Sequence, residues 1–461
     1  VNAPPPPGRT PGATPSPLHR TGHELTELTE LTKLYGEEFA ADPYAVYARL
    51  RRFGALAPVE IAPGVGAMLV IDYRAALDLL HDPDTWSKDS RVWQDTVPAD
   101  SPVLPLLRHR PTPLYTDGEE HARYRRVISD SFARLEPHEL RTVVRDLSDS
   151  LIARFAQRGE ADLIGEYARL LPLLFLNRAL GLDDAQGELL IQGVSGVFDS
   201  QEGEASAADD AYTRYITQLY TAKERERGND LASWFIDHPA ALTPAEVIDQ
   251  IALTFGAGAE PLSNLIGNAL SRMLVDDRYY GDLSGGALTP RDALHDVLRN
   301  EPPMANFSAH HPRRDVFFHG VPVRAGQLVL VSYAAATTQG GRTAPGRRTG
   351  AEHSGGGAHL SWAAGPHACP VQQPAMLIAT TAIERLTAWL SDLELTVPYD
   401  ELAWRPGPFQ RGLVALPARF TPLTPDQAGE TPWKSSRSSS TRWAATSPAR
   451  PSASAHWAET R

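Results

Sequence analysis

The sequence predicts a mainly α fold with small β-sheets (α+β), and three observations carry that prediction. Helical periodicity returns in stretch after stretch between Asp42 and Ser391. Strand signals are confined to one early pair and to short runs late in the chain. No strand–helix alternation with a Gly-rich phosphate loop appears, which argues against a Rossmann architecture.

Each element follows from local chemistry. Residues 1–22 are dense in Pro, Gly and Thr and predict disorder. The repeat ELTELTELT (Glu24–Thr32) is too brief for a solenoid and predicts the opening of a helix. DPYAVYARLRRFG (Asp42–Gly54) has the Asp-Pro start and Gly stop of a helix. Ala57–Ile61 and Ala67–Ile71 predict a strand pair with a Gly turn between them. Helical periodicity then marks Tyr73–Leu80, Glu119–Phe132, Pro137–Gln157, Ala208–Arg227, Pro244–Leu274, Pro290–Asn300 and Val371–Ser391. Gln339–Gly357 is too polar and Gly-rich for core, and long segments of this kind inside a domain are often functional. Residues 424–461, rich in Ser, Arg, Thr and Pro, predict a disordered tail.

Composition narrows the function classes. The 461 residues are 42% hydrophobic, enough for a sizeable core in one large domain or two or three ordinary ones. The longest apolar run, Leu170–Leu176, is too short for a membrane span and contains a proline. The N-terminal VNAPPPPGRTPG does not read as a secretory signal. A net charge of −12 argues against general nucleic-acid binding. The single cysteine, Cys369, excludes an intramolecular disulfide and a multi-cysteine zinc site, and fits a reducing cytoplasm.

Cys369 lies in HLSWAAGPHACP (His359–Pro370). A lone cysteine has three readings: a small buried hydrophobe, a nucleophile with a poised histidine, or a metal ligand. Gly365 and Pro366 force a tight turn that lets backbone approach a flat ligand. The helical stretch that follows would stabilise a thiolate through its dipole.

The spacing W-x-x-G-x-H-x-C, at Trp362, Gly365, His367 and Cys369, resembles the haem-binding loop of bacterial cytochromes P450, usually F-x-x-G-x-H/R-x-C-x-G. Weaker motifs follow the same resemblance in order. His121 and Arg125 match the C-helix H-x-x-x-R, and at i and i+4 they project from one helix face. TFGAGAEPLSNLIGNAL places Ala257, Gly258 and Glu260 on the I-helix pattern A/G-G-x-D/E-T. Asp296 and Arg299 fall on the K-helix E-x-x-R. The stretches from Arg313 and from Trp404 are similar to the family's hairpin and C-terminal strands, so the resemblance covers Asp42 to Phe420.

That resemblance implies a cytochrome P450 fold as a single haem-enclosing domain at residues 23–423. It implies haem b (iron protoporphyrin IX) as cofactor, and Cys369 as the proximal thiolate that favours O–O cleavage. His121, Arg125, His310 and His367 would hold the haem propionates, and Ala257 would line the haem. Substrate would meet the loop Arg91–Pro111, Phe255, Ala257, Ala305–Phe307 and Phe409. The implied activity is a monooxygenase acting on a small, largely apolar metabolite. With no flavin or iron–sulfur motif in the chain, electrons would come from a ferredoxin and ferredoxin reductase, and ultimately from NAD(P)H.

The departures from the family pattern matter as much. The I-helix threonine is replaced by Pro261, which has neither hydroxyl nor N–H and opens the helix ladder. That opening admits a water to do the hydroxyl's work, or else oxygen activation is weak. Glu260 is then either a proton carrier or a salt-bridging residue at a kink. Asp296 is one methylene shorter than the usual Glu, so its ion pair with Arg299 must adjust. His310 stands where the family has an arginine, which predicts a pH-dependent propionate contact. Arg342, Arg347 and Arg348 are candidates for the arginine that completes the K-helix network. Pro370 removes an N–H that the family aims at the sulfur, predicting a stronger donor and a lower iron potential. A redox titration of Pro370→Ala should therefore show a raised potential, and an unchanged one refutes the reading. The alternatives to a monooxygenase are a catalytically weak haem-binding regulatory or redox-sensing protein, partnered by small GTPases or sensor proteins, and a peroxide-driven oxidase.

Overall fold

The computed structural model describes residues 31–182, 205–276, 279, 288–341, 358–390 and 392–424. The Pro-rich start, most of the triplet repeat, the candidate arginines Arg342, Arg347 and Arg348, and the tail beyond Thr424 lie outside the described residues. The chain divides into two units. One gathers the residues up to Ala122 with Gly267–Cys369 and Val397–Leu416; the other gathers Arg123–Ile266, Pro370–Thr396 and Pro417 onward.

The first unit is built on a six-stranded mixed sheet. Its strands run, in spatial order, Thr32–Lys33, Leu56–Ala62, Val65–Val70, Val329–Ser332, Asn306–Pro312 and Trp86–Ser87. The predicted strand pair is antiparallel, with Val59 opposite Ala67 and Gly64 at φ +74° in the turn. Thr32, read from the repeat as helical, is instead a strand residue paired with Val59. Alternation along the strands buries both faces of the sheet. Ala57, Val59, Ala67, Leu69 and Leu330 enter one apolar cluster, and Leu56, Met68, Val70, Val329 and Val331 enter another.

Three longer helices of this unit start where side chains satisfy their first N–H groups. Asp42 accepts from the Ala45 N–H at 3.0 Å to open Pro43–Leu50, and Asp72 accepts from Ala75 at 2.8 Å to open Tyr73–Leu80. Thr289 and Asp292 form a capping box that opens Pro290–Asn300.

The second unit is helical. It holds Pro137–Phe155, Leu170–Ala179, Ala205–Arg225, Leu231–Ile236 and Gln372–Trp389, with a small antiparallel sheet of Glu394–Leu395, Pro417–Arg419 and Glu160–Asp162. Leu170–Ala179 was legible only as an apolar run. Its proline, Pro172, falls in the first turn, where the missing N–H would have had no intrahelical partner anyway. Asp149 joins two long helices by accepting from Arg385 and, at 2.8 Å, from Trp389 Nε1. Tyr167 bridges the same pair, donating to the Ala382 carbonyl at 2.7 Å.

Two helices carry the residues of interest. Gly118–Phe132 and Pro244–Met273 are each continuous through a boundary between the units. In the second unit a clamp on Glu246 joins them. Arg123 holds the carboxylate through two bonds of 2.8 and 2.9 Å, Tyr124 donates at 2.7 Å, and the Thr243 N–H donates at 2.7 Å. Arg123 first, then the Thr243 N–H and Tyr124, outweigh desolvation and hold Glu246 at a pKa of about 2, below the usual 4.5. A depressed carboxylate contributes stability that is full above the unfolded value and disappears as pH falls towards the folded one. Glu246→Gln is therefore expected to unfold more easily at about pH 6, with a shallower further loss on acidification to about pH 3. Urea midpoints at the two pH values check it.

Among the described residues, no helix is long and apolar enough to cross a membrane.

Candidate functional site

The cysteine segment is shaped by its backbone. Gly365 sits at φ +66° at the head of the short turn Gly365–His367, and a Cβ there would lie 2.1 Å from the Leu80 carbonyl oxygen. Only glycine permits that approach. The Cys369 N–H donates to the Trp362 carbonyl at 2.8 Å and Ala368 donates to Gly365 at 3.1 Å, closing the segment into a loop. Trp362, Ala363, Ala364, Ala368 and Cys369 are only half-buried, although most of them are apolar or small. A loop that leaves such residues partly open fits a flat apolar group laid against it, and its one soft donor is a free thiol.

Histidines gather beside this loop. His367 donates through Nδ1 to the Pro113 carbonyl at 3.1 Å, and its Nε2 lies 3.9 Å from Asp117. Its ring packs against that of buried His121, centroids 4.1 Å apart. His310 is buried on the strand Asn306–Pro312, its Nδ1 bonded to the Ser308 carbonyl at 2.6 Å. Burial first, then the nearby Lys88 and His367, push the His310 pKa well below its usual value. The charged form of His310 is thus disfavoured, and its Nδ1 is committed to the Ser308 carbonyl. The structure thus brings His121, His310, His367 and Cys369 into one unit.

Arg125 follows His121 by one turn on the helix Gly118–Phe132 and is half-buried. Ala257, Glu260 and Pro261 lie on the helix Pro244–Met273. Gly256 and Ala257 are exposed in the middle of this otherwise largely buried helix, and a Cβ on Gly256 would meet nothing within 4 Å. Gly258 differs, since a Cβ there would reach Leu176 at 3.1 Å. The helix runs unbroken through Pro261, and the Ala257 carbonyl receives no N–H from that position. Glu260 is half-buried beside it.

The residues expected to meet substrate divide in the same way. The Ala305 and Asn306 N–H groups both donate to the Phe409 carbonyl, at 2.8 and 3.1 Å, and Phe307 packs edge-on to Phe409 at 5.9 Å. Trp93, Val103 and Leu107 from the loop Arg91–Pro111 join Ala305 and Phe409 in one apolar cluster. Phe255 lies in the other unit, edge-on to Tyr215 at 6.0 Å.

The K-helix ion pair is not the one expected. Asp296 bonds Arg272 at 3.2 Å and Asn300 at 2.7 Å, while Arg299 is exposed. The shorter side chain is matched by a guanidinium from the end of the helix Pro244–Met273, which no spacing rule connects to Asp296. Three further residues went unnoticed in the sequence. Lys88 is buried on Ser308, and Tyr333 is a buried hydroxyl pushed up to about 12 by burial, with Ser308 and Cys369 close enough to influence it. Ser308 itself takes φ +55° at a strand bulge. Nothing in composition or periodicity marks these positions, because their roles arise only when the strands pair.

No family model matches the chain. Curated relatives do. Cytochrome P450 monooxygenase PikC of Streptomyces venezuelae is 30% identical over 392 residues, spanning 84% of this chain and 92% of its own length. Cytochrome P450 107B1 of Saccharopolyspora erythraea is 29% identical over 398 residues, spanning 84% and 96%. Among solved structures, CYP154C4 from Streptomyces sp. ATCC 11861 superposes with a TM-score of 0.75 at 26% identity, covering 85% of this chain and 99% of its own. CYP154A1 from Streptomyces coelicolor A3(2) gives 0.72 at 26% identity, covering 82% and 98%.

Proposed function

Because the chain belongs to the cytochrome P450 family, whose members use haem b, we propose that it is a haem-thiolate monooxygenase of a small, largely apolar molecule. At family level the chain is a P450 monooxygenase; substrate, electron donors and residue roles are the proposal. The observation that carries it is the sole thiol, half-open in a loop that glycine alone can close against Leu80.

Thiolate-ligated haem supplies oxygen activation when bound. The chain's own residues set the conditions for it. Cys369 provides the thiolate, and Pro370 leaves no N–H of its own to weaken the sulfur as a donor. His121, His367 and Arg125, the last one turn after His121 on its helix, would engage the prosthetic group's acid arms. Ala257 keeps a small side chain on the exposed part of its helix. Glu260, one residue before the proline, would pass a proton, and the Ala257 carbonyl left open by Pro261 is an acceptor for a water that would relay it. Electrons come from a separate ferredoxin and reductase.

One observation favours a second reading. Pro261 brings no hydroxyl to the proton path, which suits a haem protein of weak oxygenase activity in a regulatory or redox-sensing role, or one driven by peroxide. The reduced, carbon monoxide-bound spectrum tests the common premise. A red-shifted Soret band lost in Cys369→Ser supports it, and its absence in the wild type refutes it. Comparing NADPH consumption with ferredoxin and reductase against peroxide-supported turnover then separates the readings.

A further inference from the structure

Lys88 is 3% exposed. Among the described residues its Nζ has one hydrogen-bond partner, the neutral hydroxyl of Ser308 at 3.0 Å. The nearby carboxylate, Asp117, is already committed. It accepts from Ser87 Oγ at 2.6 Å, from the Lys88 backbone N–H at 3.1 Å and from the Arg313 guanidinium at 2.9 Å. A buried ammonium short of a counter-charge is costly, and proteins discharge it or pair it.

The surroundings concentrate the imbalance. His121, His310, His311 and His367 belong to the same unit, and His310 and His311 both feel the Lys88 charge. His311 commits Nδ1 to the Gly326 carbonyl at 3.1 Å, as His310 does to Ser308. Burial first, opposed by Asp117, brings the Lys88 pKa down to about 7, as expected of a cation short of a counter-charge. The local backbone is built for this contact. The strand Asn306–Pro312 shifts register between Phe307 and His310, and Ser308 takes a left-handed conformation at φ +55°. Such strain on a non-glycine residue at a bulge re-aims a side chain; here it sets the hydroxyl against Lys88.

We propose that Lys88, held by Ser308 at the strand bulge, grips a carboxylate of the prosthetic group, in the place of the cation that His310 does not supply. This assignment rests on the haem reading above. It makes Lys88 a binding residue for the haem's acid arm, with Ser308 as its positioning residue.

Release of haem from the ferric holoprotein to excess apomyoglobin tests it. Lys88→Met is expected to release haem about ten-fold faster or more, the loss of one charge-assisted bond. Lys88→Arg should stay within about three-fold of wild type, since it keeps a cation, and Ser308→Ala should fall between wild type and Lys88→Met, since the cation remains without its positioning contact. Release from Lys88→Met at the wild-type rate overturns the proposal, as does Lys88→Arg releasing as fast as Lys88→Met, because a retained cation should retain the grip. Should Lys88→Met not accumulate with haem, resonance Raman of Lys88→Arg decides: a shifted propionate bending band is expected, and an unshifted one overturns the assignment. Failure of the haem reading is distinct, because the wild type would then lack the thiolate-type carbon monoxide spectrum.

Discussion

Glu301→Leu is expected to cost about 3–5 kcal/mol of stability, the penalty for breaking a buried ion pair by removing one partner. Glu301 is 1% exposed and faces two buried guanidinium groups. Arg411 Nε donates to it at 2.7 Å and Arg272 lies at 3.9 Å. Arg411 also donates to the Ala40 carbonyl and stacks on Trp404 at 3.6 Å, so it cannot swing out to water when its carboxylate is gone. Asp296→Asn is the matched comparison. Asp296 is about a third open to solvent, and its loss should cost well under half as much. Urea midpoints at unchanged slope measure both. Equal effects would mean that the two carboxylates share the charge evenly.

Gly365→Ala is the second large effect. The added Cβ would stand 2.1 Å from a backbone oxygen and 3.0 Å from its carbon, at a φ that alanine rarely adopts. Backbone cannot retreat as a flexible side chain can, so a cost of about 3 kcal/mol is expected. The loop ending at Cys369 should shift with it, and the thiolate-type spectrum should weaken. Gly256→Ala is the opposite case. It lies inside a helix and its Cβ meets nothing, so it should stabilise by up to about 1 kcal/mol. Thermal midpoints of the two variants, moving in opposite directions, check the pair.

These contrasts show what could be read from residues alone. Helix starts were legible at several places where a side chain supplies the missing N–H partner, as at Asp42, Asp72 and Thr289. The cysteine loop was legible because Gly, Pro, His and Cys fall at a spacing with one structural meaning. The short helix Tyr333–Thr337 was not, since it starts directly from a strand with only Ser332 to announce it. Nor were the charge pairings. Asp296 was matched to Arg299, three residues on, whereas its partner Arg272 lies on another helix. Lys88 and Ser308 are 220 residues apart in sequence. Local pattern carries periodicity and caps; the partner of a buried charge is chosen by tertiary structure.

The Glu246 clamp has a kinetic consequence. Arg123 and Tyr124 spend their polar groups on it, in the same helical turns that carry His121 and Arg125. One rod thus carries both the anchoring clamp and the two residues proposed to hold the prosthetic group. That rod is secured whether or not a prosthetic group is present, so capture carries little ordering entropy at these two positions. Amide protons around residues 121–128 should then resist deuterium exchange before cofactor loading as well as after it.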